Sequence, residues 1–83
     1  MITQRQCAAA RAILGISHTE LSEQTDVSSK TIARFERGET QITKANLKAL
    51  VKVFEDAGLV FKDEAGMRAV LYPMSLDEQQ PDN

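Results

Sequence analysis

Along the first two thirds of the chain, apolar residues recur at helical spacing. Cys7, Ala10 and Leu14 fall at i, i+3 and i+7, and Thr3 with Gln6 has the spacing of a capping box, which predicts a first helix ending near Gly15. Ser17 with Glu20 repeats that signature and opens a short second helix over about 18–25, with Leu21 facing inward and Thr25 as a second inward candidate. Asp26 and Val27 make a tight turn, after which Ser28 caps a third helix of roughly 29–37. Its inward residues are Ile32 and Phe35, and Gly38 stops it. Beyond a loop over 39–42, Thr43 caps a fourth helix in which Leu47, Leu50, Val51 and Phe54 fall at i, i+3, i+4 and i+7, and Gly58 ends it.

After Gly58 the pattern changes. Residues 59–62 and 67–72 are apolar-rich, β-prone runs separated by Asp63-Glu64-Ala65-Gly66, which predicts a β-hairpin with a four-residue loop; helix is the alternative for 67–72. Pro73 closes the second run, and the polar stretch behind it predicts a mobile tail over 73–83. The expected fold is mainly α, a helical domain over 1–58 with a short C-terminal β-hairpin over 59–72.

Composition narrows the classes. At 83 residues the chain is long enough for one domain of modest buried fraction. No apolar run approaches the roughly 20 residues of a membrane span, and the first ten residues lack the continuous apolar stretch of a signal peptide, so a cytoplasmic location is expected. Cys7 is the only cysteine and His18 the only histidine, which argues against a disulfide framework or a Cys/His zinc site within one chain; no metal and no cofactor are expected. Cys7, at core spacing, reads as a small buried hydrophobe, with redox sensing as the alternative.

The formal charge of −2 looks wrong for a partner of nucleic acid, but its distribution answers the objection. Residues 57–83 hold Lys62 and Arg68 against Asp63, Glu64, Asp77, Glu78 and Asp82. Within 30–52, by contrast, Lys30, Arg34, Arg37, Lys44, Lys48 and Lys52 face only Glu36 and Glu39, a balance of +4.

The most informative stretch is Ser17 to Gly38, SHTELSEQTDVSSKTIARFERG. It resembles the helix-turn-helix of the Cro and lambda-repressor family, also called XRE-like, with the pattern S-Q-x-x-L-A-x-x-x-G-V-S-x-x-x-I-x-x-x-E-x-G. Ser17, Leu21, Val27, Ser28, Ile32, Glu36 and Gly38 match at the right spacing, and the flanking helices extend the likeness over about 3–57. Three positions depart from it. His18 stands where the family has a phosphate-binding glutamine, Ser22 replaces a small alanine, and Asp26 replaces a turn glycine at a position that tends to need a left-handed backbone.

The resemblance implies a lambda-repressor-like fold and a regulator of transcription that binds double-stranded DNA. It also implies which residues meet the DNA. Ser29 and Lys30, in the first turn of the recognition helix, and Arg34, four residues beyond Lys30 on the same face, are the expected base contacts. A guanidinium there can pair with guanine O6 and N7, and Thr31 can pack on a thymine methyl or bond a phosphate. Expected phosphate contacts are His18, Ser28, Arg37 and Lys44, whereas Lys48 and Lys52 read as a solvated face. A solvated helix face is also the alternative for Lys30, Thr31 and Arg34, and an exposed helix start for His18. Arg11 and Glu36 resemble a structural ion pair that ties the recognition helix to the first helix.

A single helix-turn-helix reads only a few base pairs, so a homodimer on a short palindromic operator is expected, with Leu59, Val60, Phe61, Val70, Leu71 and Tyr72 supplying its interface. The alternative is a hairpin folded back on its own fourth helix. The setting expected from the resemblance is a bacterial or phage-encoded repressor, of a phage or mobile element, on the nucleoid when bound. An enzyme is disfavoured because His18 has no nucleophile and third partner around it in the sequence, and no Gly-rich phosphate loop is present. An antitoxin that binds both DNA and a partner protein is the competing reading.

Overall fold

Every α-helix begins on a hydroxyl. In the computed structural model, which describes residues 1–79, α1 (Gln4–Leu14), α2 (His18–Glu23), α3 (Ser29–Glu36) and α4 (Lys44–Asp56) are capped by Thr3, Ser17, Ser28 and Thr43. Each cap oxygen accepts the backbone N–H three residues on, a bond worth about 1 kcal/mol. Thr3 and Ser17 complete reciprocal boxes, because Gln6 and Glu20 accept the cap residues' own N–H groups at 3.0 Å.

The stops are shared too. At the end of α3, Gly38 donates to the Phe35 carbonyl at 3.0 Å and Glu39 to the Arg34 carbonyl at 2.9 Å, the paired bonds of a Schellman motif with Gly38 at φ 74°. The end of α4 repeats it, with Gly58 donating to Glu55 at 2.9 Å and Leu59 to Phe54 at 3.0 Å. Gly58 has φ 94°, and a Cβ there would lie 2.8 Å from Cγ of Pro73. No other residue fits that position without displacing the chain behind the hairpin.

α2 is shorter than the expected 18–25. It stops at Glu23 because the half-buried Thr25 turns its hydroxyl to donate to the Leu21 carbonyl (3.1 Å) and accept the Val27 N–H (3.2 Å). The left-handed residue expected at Asp26 is absent as well: among the described residues, Ala65 is the only non-glycine with positive φ. The Thr25 side chain thus does locally what the glycine turn was expected to do. α3 likewise ends one residue early, with Arg37 as its C-cap.

Cys7, Ala10, Leu21, Ile32, Leu50 and Phe54 are fully buried between the helices, joined by Val27 and Phe35. Burying one large apolar side chain contributes about 1.5–3 kcal/mol. Leu14, Leu47 and Val51, on the predicted apolar stripes, are only half-buried. Ile2 and Leu59 close the core from outside the helices.

Strands β1 (Val60–Glu64) and β2 (Met67–Leu71) form the predicted antiparallel hairpin, but its loop has two residues, Ala65 and Gly66, instead of four. Both lie at positive φ (53° and 75°), as the tightest hairpin loop demands, so Asp63 and Glu64 are free to pair in the ladder with Arg68 and Met67. Register sets Phe61 opposite Val70 and Val60 opposite Leu71. Because strand side chains alternate, the first pair faces the helices and the second faces away. Phe61 meets Phe54 edge-on with ring centroids 6.0 Å apart, and Gln6 Nε2 donates to the Ala69 carbonyl at 3.2 Å, latching β2 to α1. The segment after Pro73, expected to be a mobile tail, forms a 3-10 helix over Met74–Gln79, where the Tyr72 hydroxyl donates to Asp77 (3.1 Å) and Leu76 packs half-buried on the core. Residues 80–83 of that expected tail lie outside the described residues. Among the described residues no helix is long and apolar enough to cross a membrane.

Candidate nucleic-acid interface

α3 has two chemically opposite sides. Ile32 and Phe35 point into the core, while Lys30, Arg34 and Arg37 are exposed and Ser29 and Thr31 half-exposed. Arg34 follows Lys30 at i+4, so the two cations stand about one turn apart on one face. Lys44 is exposed at the start of α4. Ser28 Oγ accepts the Thr31 N–H at 3.1 Å and donates to Thr31 Oγ1 at 2.8 Å. One of the two hydroxyl protons is consumed inside this pair, which leaves one for an outside acceptor such as a phosphate.

The back of α3 is anchored through Glu36, whose side chain is 6% exposed. Arg11 grips the carboxylate with two parallel bonds, Nε to Oε2 at 3.0 Å and Nη2 to Oε1 at 2.8 Å, and spends Nη1 on the Ile16 carbonyl at 3.0 Å. His18 Nε2 lies 3.0 Å from Oε1, and the Cys7 thiol donates to Oε2 at 3.5 Å. One carboxylate therefore ties α1, α2 and α3 together, and among the described residues no buried side-chain polar atom lacks a partner. Burial alone would raise the Glu36 carboxyl, but the hydrogen bonds from Arg11, His18 and Cys7 and the Arg11 charge outweigh it and hold it below the usual carboxylate range. Burial, helped by the negative charge of Glu36, pushes the Cys7 thiol up to about 12, which leaves it protonated and poorly reactive.

The expected phosphate residues are not equally free. His18 has its Nε2 turned onto Glu36, so only Nδ1 can face outward. Arg37 is paired with Glu39, and both side chains are exposed. Glu39 is a residue that periodicity did not single out. It occupies the return position of the Schellman motif, which brings it back beside the last turn of α3. The hydrogen bond from Arg37, with the charges of Arg37 and Arg34, holds its carboxyl below the usual range, so an ionised acid sits inside the basic end of the face.

The residues expected at a dimer interface divide in two. Leu59 is 2% exposed and belongs to the core, whereas Phe61 and Val70 are half-buried and pack against it from the hairpin. Val60, Leu71 and Tyr72 are exposed, with Met67 and Met74 beside them in sequence. Among the described residues no cluster of His, Cys, Asp and Glu has the geometry to hold a metal ion.

The helix-turn-helix family model matches residues 8–55, from within α1 into the last turn of α4. A comparison with curated proteins found no match. The matched segment is more than half the chain and contains the whole of α2 and α3 with the turn between them, so the protein belongs to the Cro/lambda-repressor, XRE-type, helix-turn-helix family of DNA-binding transcription regulators.

Proposed function

We propose that this regulator is a repressor that lays α3 in the major groove of a short palindromic operator and works as a homodimer. The observation that carries the reading is the two-sidedness of α3: Lys30 and Arg34 project one turn apart, while the opposite side is fixed by Ile32, Phe35 and the Glu36 network. A recognition helix held rigidly from behind brings its cations to base edges without a large ordering cost. In this reading Lys30 and Arg34 contact bases, with Ser29 beside them, and the one free proton of the Ser28–Thr31 hydroxyl pair, together with Arg37 and Lys44, contacts phosphates.

Selection of binding sites from random duplexes tests it. Arg34→Ala should weaken binding to the selected site by about 1–3 kcal/mol and relax the base preference at one position, whereas Ser28→Ala and Arg37→Ala should weaken all duplexes alike. Full affinity and unchanged preference in Arg34→Ala would remove the base-contact assignment.

The outward hairpin face supports the homodimer. Val60 and Leu71 stand opposite each other and are 48% and 47% exposed, and a two-stranded ribbon gains from a cover on such a face. Truncation after Gly58 is a poor test, because it removes Leu59 from the core and Phe61 from its flank. Leu71→Lys changes only the outward face, and light scattering should find the parent dimeric and this variant monomeric. A monomeric parent at tens of micromolar would instead favour a partner protein on that face, as in an antitoxin.

A further inference from the structure

A carboxylate accepts hydrogen bonds and cannot donate them, and Glu36 is held ionised by the two bonds from Arg11. His18 Nε2, 3.0 Å from Glu36 Oε1, must therefore carry a proton. In a neutral imidazole only one nitrogen carries hydrogen, so Nδ1 is then a bare acceptor. A DNA phosphate oxygen is also only an acceptor. The two repel unless the ring takes up a second proton, and as an imidazolium it donates from both nitrogens at once. The His18 side chain is 36% exposed, so part of it is open to the outside while Nε2 stays on Glu36.

We propose that His18 contacts a DNA phosphate only as the imidazolium, with Nε2 on Glu36 and Nδ1 on the phosphate, so that DNA binding takes up a proton. The inference rests on the DNA-binding reading and deepens it by coupling affinity to pH. In the helix-turn-helix docking geometry the first helix of the pair crosses the backbone while the second enters the groove, which puts the helix bearing His18 beside phosphate. Charged and titratable groups are tied to the imidazole through its carboxylate partner. Glu36 comes from α3, and Arg11 from α1 shares its carboxylate. The Cys7 thiol from α1 is neutral, and Glu20 on the histidine's own helix is engaged with the Ser17 N–H. Imidazole is the side chain whose ordinary charge change falls between about pH 5 and pH 8.

Two measurements test the proposal. The chain has one histidine, so its imidazole nitrogen resonances are assigned without variants. In the free protein above about pH 8 they should report the tautomer protonated at Nε2. A ring protonated at Nδ1 overturns the proposal independently of any DNA. The second measurement is the affinity for a mixed-sequence duplex of about 20 base pairs at fixed ionic strength. Between about pH 6 and about pH 8 it should fall roughly tenfold, and calorimetry in buffers of different ionisation heat should show proton uptake. His18→Gln, whose amide donates without titrating, should bind with no pH dependence over that range. Equal affinity of the parent at both pH values, or the parent's slope persisting in His18→Gln, overturns the proposal alone. Absence of binding at both pH values removes the DNA-binding reading and the proposal with it.

Discussion

Helices α1 to α4 bury Cys7, Ala10, Leu21, Ile32, Leu50 and Phe54 completely, whereas no residue of β1 or β2 is buried. Helices can surround a core from several directions, while a two-stranded ribbon has two faces and only one helical surface to lie on. The hairpin is held by the Phe61 ring on Phe54, by the bond from Gln6 to Ala69 and by Leu59 at its root. Its other face carries Val60 and Leu71 outward. The helical region thus satisfies itself, and the hairpin region is half satisfied.

The largest expected effect lies where the two regions meet. Phe54→Ala empties the centre of the helical core and should cost about 3–5 kcal/mol, enough to unfold much of a small domain. Phe61→Ala removes a half-buried ring from the hairpin side of the same contact and should cost about half as much. Urea denaturation of both variants checks the ranking. Equal losses would mean that the hairpin is as integral to the core as α4.

Within the helical region the next effect is Glu36→Gln. Arg11 would lose its counter-charge, at a cost of about 3 kcal/mol, the low end for buried pairs because Arg11 itself is 21% exposed. The Glu36 carboxyl titrates lower in the folded protein than unfolded, so its stabilisation is full above the unfolded value of about 4.3 and is lost as pH falls through the folded one. The stability gap between parent and Glu36→Gln should therefore be constant near neutrality and shrink below about pH 4. A gap near zero at neutral pH would show that the network contributes no net stability.

Much of the helical region was legible because its signals are local. Thr3, Ser17, Ser28 and Thr43 cap their helices by accepting the N–H three residues on, and Gly38 and Gly58 end α3 and α4 within one turn. The misses arose where one side chain decides between two local solutions, or where distant residues meet. Thr25 replaced the left-handed turn expected at Asp26, and two positive-φ residues sufficed for a hairpin loop expected to take the four residues Asp63 to Gly66. Leu59, read as interface, is drawn into the core by the same Schellman return that carries Glu39 back onto α3. The inward turn of His18 depends on Glu36, eighteen positions away, and no periodicity reports it. On the candidate site, the cations of α3 were readable from spacing, but which of them are already paired was not.

Glu39 marks the smallest expected effect and the finest contrast between the regions. In the hairpin the acids Asp63 and Glu64 are cross-strand neighbours of Arg68 and Met67, remote in sequence from the basic stretch, so neutralising them should leave DNA binding unchanged. Glu39 is different, because it holds the Arg37 guanidinium and adds negative charge beside Arg34. A phosphate approaching Arg37 must displace that carboxylate or share the guanidinium with it, and it meets repulsion in either case. Glu39→Gln keeps the Schellman return, which is a backbone motif, and removes the charge. Affinity for duplex DNA should rise a few-fold at low salt, and the advantage should fade as added salt screens it. Titrations of the parent, Glu39→Gln and Glu64→Gln across a salt series check this. If Glu64→Gln tightened binding as much as Glu39→Gln, the gain would come from net charge alone, and the end of α3 would lose its assignment as a phosphate-facing surface.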